Sequence, residues 1–150
     1  MEYIVIQEKT FDKVRKEIEK NKDKKIIFCS DDDELNRKIL EKEKINILLL
    51  NQKNRKDFQK QRNSGLNQVM TRIAKKQNTI IGINLDDIIE SPPKEKSNII
   101  ARIKQNIKLC NKAKLNMKFL AQKKSNERNI YDLKSIGLIL GMPTWMISNL

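Results

Sequence analysis

A parallel α/β domain is the fold class this sequence predicts, and three observations carry the prediction. Short β-branched runs of four to seven residues recur along the chain. Amphipathic stretches of helical period separate them. Glycine and proline are scarce, at 4 and 3 of 150 residues, so linker-like and low-complexity sequence is excluded. Apolar runs without polar alternation suit strands covered on both faces, and strand–helix alternation points to βαβ units. The length is that of one ordinary domain, which predicts a single unit over 1–150.

The elements follow in order. Residues 3–6, 26–29, 45–50 and 79–85 read as buried strands, and 116–121 as a weaker fifth. After a Thr10 cap, Phe11, Val14 and Ile18 repeat at i, i+3 and i+7. Leu35, Ile39 and Leu40 follow Ser30 and the acidic start Asp31-Asp32-Asp33-Glu34. Behind Ser64, the set Leu66, Val69, Met70, Ile73 and Ala74 fills one helical face. The longest stripe is Ile99, Ile100, Ile103, Ile107 and Cys110, which opens after Ser91-Pro92-Pro93, where a proline at the helix start is favourable.

Composition narrows the function. No histidine is present, which removes Ser-His-Asp and Cys-His nucleophile arrangements and imidazole metal sites. Cys29 and Cys110 are isolated within apolar runs and read as reduced, buried thiols. No run is long enough to span a bilayer and the amino terminus lacks a signal-peptide pattern, so a soluble, cytoplasmic protein without membrane contact is expected. The formal charge of +13 favours a polyanionic partner. That charge is uneven. Residues 51–78 carry eight cations against Asp57 alone, and 91–128 carry eleven against Glu95 and Glu127. The rest of the chain is slightly acidic.

In a parallel sheet, functional groups gather at the carboxyl ends of the strands. Ser30 to Asp33, Asn51 to Asn63, Asp86-Asp87 and Gln122 to Arg128 occupy that edge. Asp31, Asp32, Asp33, Asp86 and Asp87 are candidate magnesium ligands in a phosphoesterase reading; helix capping is the competing reading. The loop with Lys53, Arg55, Lys56, Lys60 and Arg62 is the stronger candidate, for phosphate oxygens; the competing reading pairs Arg55 with Asp57 to hold the turn. Lys75, Lys76, Lys123, Lys124 and Arg128 form a second predicted patch. Aromatics are few, with Phe58 the one expected to be free for stacking, so backbone recognition of structured RNA is the expectation. A protein-interaction scaffold with incidental charge is the remaining alternative.

The run Asn54-Arg55-Lys56-Asp57, then Ser64-Gly65-Leu66-Asn67-Gln68-Val69-Met70, Ala74-Lys75-Lys76 and Asn78, resembles the archaeal and eukaryotic ribonuclease P protein component 3 family. Residues 131–142, Tyr131-Asp132-Leu133-Lys134-Ser135-Ile136-Gly137-Leu138-Ile139-Leu140-Gly141-Met142, resemble the same family's closing motif, in matching order and spacing. The resemblance implies a TIM-barrel-like (β/α) repeat, here abbreviated, since five strands fall short of eight. It further implies a non-catalytic subunit of the particle that removes 5′ leaders from precursor tRNA. Its partners would be the ribonuclease P RNA, component 2 and other protein subunits, with Mg2+ required by the RNA and no cofactor held by this chain. Two departures stand out. Asn84-Leu85-Asp86-Asp87 replaces the family's Ser-Leu-Arg-Pro, and Gln122-Lys123-Lys124 replaces Ser-Ser-Ala.

Overall fold

A computed structural model describes residues 2–150, which hold five strands and seven α-helices. Strands β1 (Tyr3–Ile6), β2 (Lys25–Cys29), β3 (Ile47–Leu50), β4 (Ile80–Asn84) and β5 (Met117–Leu120) form one parallel sheet in chain order. Between them run α1 (Phe11–Lys20), α2 (Asp33–Lys42), α3 (Gln68–Gln77), α4 (Leu85–Glu90) and α5 (Pro93–Ala113). The chain closes with α6 (Ile130–Leu140) and α7 (Thr144–Ser148). No helix among the described residues is long and apolar enough to cross a membrane.

Strand periodicity sorts the core. Phe28, Leu48, Leu50, Ile81 and Met117 point to one face and pack against Val14, Ile39, Leu40, Ala74, Ile99, Ile103 and Ile107 of the helices. Each Val, Leu, Ile, Phe or Met side chain among them contributes about 1.5–3 kcal/mol on burial. The opposite face carries a separate cluster of Ile27, Cys29, Ile47 and Leu49, with no helical residue in it. Gly82 lies on that face, and a Cβ there would stand 3.1 Å from Ile47 Cγ2 and Leu49 Cδ1 and 3.2 Å from Leu120 Cδ1. Side chains of flanking strands thus converge over the glycine, and the sheet curls toward this face. Just beyond the two edge strands, Gln7 Nε2 donates to Gln122 Oε1 at 3.2 Å. No ladder joins β1 to β5 among the described residues. The sheet is curled and open.

Strand ends shift by one or two residues from the sequence reading, and two larger differences have local causes. The third helix begins at Gln68 rather than behind Ser64, because Gly65 takes φ +77° and the Asn67 side chain caps Met70 N. Asp86-Asp87, read from the sequence only as following the fourth strand, lies in a short helix. Asn84 accepts from Asp86 N and starts α4, so the strand ends at Asn84, one residue short of its apolar run.

Candidate nucleic-acid interface

Residues 51–67 connect β3 to α3 without regular structure, yet two arginines hold them in one shape. Arg55 donates to Asp33 twice, NH1 to Oδ2 at 2.8 Å and NH2 to Oδ1 at 2.9 Å, and its Nε donates to Asn51 O at 2.6 Å. Its side chain is only 8% exposed. Gly65 makes room for it, since a Cβ there would meet Arg55 NH2 at 2.6 Å. The second arginine arrives from α5. Arg102 donates to Asp57 Oδ1, Gln52 O and Arg55 O, each at 2.9 Å. Gln52 and Asn106 both donate to Ser64 O, closing the loop's far end.

Asp57 is the hub. It also accepts from Arg62 NH1 at 2.8 Å and from Asn63 N at 3.0 Å. Hydrogen bonding to the Arg102 guanidinium, reinforced by Asn63 and Arg62, lowers its pKa to about 2.

The five loop cations therefore separate into two kinds. Arg55 is an internal strut tied to Asp33, neither at the surface nor paired with Asp57, because β3 and the start of α2 end side by side. Arg62 is half engaged with Asp57 and Asn98. Lys53, Lys56 and Lys60 are exposed and make no ion pair among the described residues. Phe58, 58% exposed, stands beside them over a groove of about 640 Å³ that also includes Arg37, Gln61 and Val69.

The acidic residues mainly join the loops to one another. Asp32 caps α2 through Glu34 N and Leu35 N, and Asp31 accepts from Asn51 Nδ2. Asp86 accepts from Gln122 N and from Asn126 Nδ2, which fastens the end of β5 to α4. Asp87 is buried and accepts from Gln52 N at 2.8 Å; burial raises its pKa, with Lys53 acting in the other direction. No group of three His, Cys, Asp or Glu side chains among the described residues is placed to hold a metal ion. Cys29 sits beneath this edge, and burial pushes its thiol up to about 11.

After β5, Lys123 Nζ lies 2.8 Å from both Glu90 carboxylate oxygens, an exposed pair that raises the lysine's pKa and lowers the glutamate's. Lys124 and Arg128 are exposed on the same edge. Lys75 and Lys76 are not. They occupy the last turn of α3, which leads into the start of β4, so the sheet separates them from Lys123, Lys124 and Arg128. Lys75 Nζ instead donates to Lys114 O at the carboxyl end of α5, at 2.7 Å. The second patch read from the sequence is therefore two patches, at opposite ends of the strands.

Arg102 was not among the sequence candidates. Its signal was a single cation inside the apolar stripe from Ile99 to Cys110.

No protein-family model matches the chain, and no curated protein matches it. A solved structure does. The fold is shared with a chain in the cryo-EM structure of archaeal ribonuclease P with mature tRNA. The two superpose with a TM-score of 0.80 at 21% sequence identity, over 96% of this chain. This chain spans 62% of the length of the matched one.

Proposed function

We propose that this protein is a non-catalytic, component 3-type subunit of ribonuclease P, acting as one unit over residues 1–150 in the maturation of tRNA 5′ ends in the cytoplasm. The observation that carries the reading is the shared fold with a chain of archaeal ribonuclease P across nearly the whole sequence. The curled sheet with its helices on one side is, on this reading, an abbreviated (β/α) barrel of the TIM type.

The chemistry of the carboxyl edge supports the reading. Lys53, Lys56, Lys60 and Arg62 stand on a loop braced from beneath by Arg55 and Arg102, and Lys123, Lys124 and Arg128 flank it. Fixed cations of this kind contact phosphate oxygens and replace condensed counterions, so RNA strands approach one another at lower magnesium. No base reading is required of them. The exposed Phe58 ring offers one stacking surface. The catalytic RNA performs the cleavage, with its Mg2+ held by RNA. This chain supplies shape and charge.

A protein partner of the component 2 type is assigned to α6. Tyr131, Leu138 and Ile139 are 78%, 60% and 77% exposed and lie on one stripe, a surface that phosphates do not cover. Capture of the tagged protein from its cells and sequencing of the bound RNA tests the ribonuclease P reading. Enrichment of ribonuclease P RNA is expected, and a bound fraction no different from an untagged control contradicts it.

A further inference from the structure

We infer that the groove under Phe58 takes one unpaired nucleotide of RNA, its base against the ring and its phosphates on the loop lysines. The inference rests on the RNA-binding reading above and deepens it. It names the class of RNA that the loop edge selects, one with a base outside its helix.

Phe58 is held in the open. It is the only apolar residue in the loop from Asn51 to Gly65, and it is 58% exposed. A slack loop would fold such a ring inward, because apolar surface gains by leaving water. This loop lacks that freedom. Asp57, directly before the ring, accepts from Arg102, Arg62 and Asn63. Gln105 donates to Arg62 O at 3.0 Å and to Ser64 Oγ at 3.1 Å. The ring is thus fixed before a ligand arrives, which lowers the ordering cost of binding.

The groove suits a base better than a phosphate or an apolar helix. Its volume of about 640 Å³ lies in the range of about 300–1,000 Å³ usual for small-molecule sites. Phe58, Val69 and Leu109 give apolar contact, and Gln61, Asn67 and Gln68 bring amides to the same space. Its charges cancel, Arg37 and Arg62 against Asp33 and Glu34, and all but Glu34 are in ion pairs among the described residues. A neutral groove of this kind fits a planar heterocycle with hydrogen-bonding edges. Glu34 repels a phosphate, and an apolar helix would cover Glu34 and the amides without giving them partners. On the loop itself the balance reverses. Lys53, Lys56 and Lys60 are exposed without ion pairs, and Lys56 and Lys60 stand two residues to either side of Phe58. Groove and lysines together match the two halves of a nucleotide. A duplex keeps its bases paired and stacked, so only an unpaired base reaches the ring.

Two RNAs test this on the intact protein, a short hairpin duplex with one bulged uridine and the same duplex fully paired, their affinities read by fluorescence anisotropy. The wild type should bind the bulged duplex about tenfold more tightly, as one base–aromatic stack provides. Phe58→Ala should bring the two affinities to the same value, and Phe58→Trp should keep the preference. The slope of log affinity against log salt should be the same in Phe58→Ala as in the wild type, since no phosphate contact is lost. Equal binding of the two duplexes by the wild type overturns the nucleotide site and leaves the proposed function standing, as expected if a protein covers the groove. A preference that survives in Phe58→Ala also overturns it, the bulge then acting through the shape of the duplex. No binding of either RNA by the wild type overturns both readings.

Discussion

Arg102 occupies a helix stripe otherwise filled by Ile99, Ile103, Ile107 and Cys110, and from there it braces the loop between β3 and α3. Its three hydrogen bonds end on Asp57, Gln52 O and Arg55 O. Arg102→Met keeps the length and removes all three, leaving buried acceptors unpaired. A loss of about 2–4 kcal/mol is expected, read as a lower denaturant midpoint. Asp57 makes the same network pH-dependent. Its folded pKa of about 2 lies below its ordinary 3.8, so its stabilisation is complete above pH 4 and is lost as pH falls through 2. The side chain is 24% exposed, and screening leaves roughly 1–2 kcal/mol. Asp57→Asn should flatten this part of the acid unfolding curve; an unchanged curve contradicts the network. Little of this was legible. Arg55 meets a carboxylate 22 residues away and Arg102 one 45 residues away, and no local period encodes either pairing. An arginine that braces a loop and one that contacts a phosphate look alike in sequence.

Elements were easier to read than residues. Five β-branched runs became five strands because a buried parallel strand needs apolar side chains on both faces, and α1, α2 and α5 carry a plain helical period. α4 was missed because its six residues are too short for a period, and its start depends on the Asn84 side chain. Helix α6 was legible as a family-like motif, but its sequence did not reveal which of its apolar residues would stay exposed. Ile136 and Leu140 pack inward, while Leu138 and Ile139 face out. Leu138→Asp/Ile139→Asp should weaken binding of a component 2-type partner at least tenfold, measured by calorimetry. Its thermal midpoint should hold, because neither side chain belongs to the core. Full-strength binding by a folded double variant would move the partner to another face.

At the scale of the whole molecule, topology decides what a net charge of +13 means. A parallel sheet in chain order sends every strand-to-helix loop to one edge and every helix-to-strand turn to the other. Lys53 and Lys124 thereby share an edge although 71 positions separate them in the sequence. Lys76 and Lys124 lie at opposite ends, although the sequence offered them as one patch. The curl of the sheet could not be read either, since it arises from side chains of separate strands meeting over Gly82. Together these features present cations in fixed places, which under the proposed function leaves the chemistry to RNA. Cleavage of precursor tRNA by the ribonuclease P RNA and its other protein subunits, followed as a function of Mg2+ with and without this protein, tests that account most directly. The account predicts that adding the protein lowers the Mg2+ needed for half-maximal cleavage without moving the cleavage site. Identical rates at every Mg2+ concentration, with and without the protein, would contradict it.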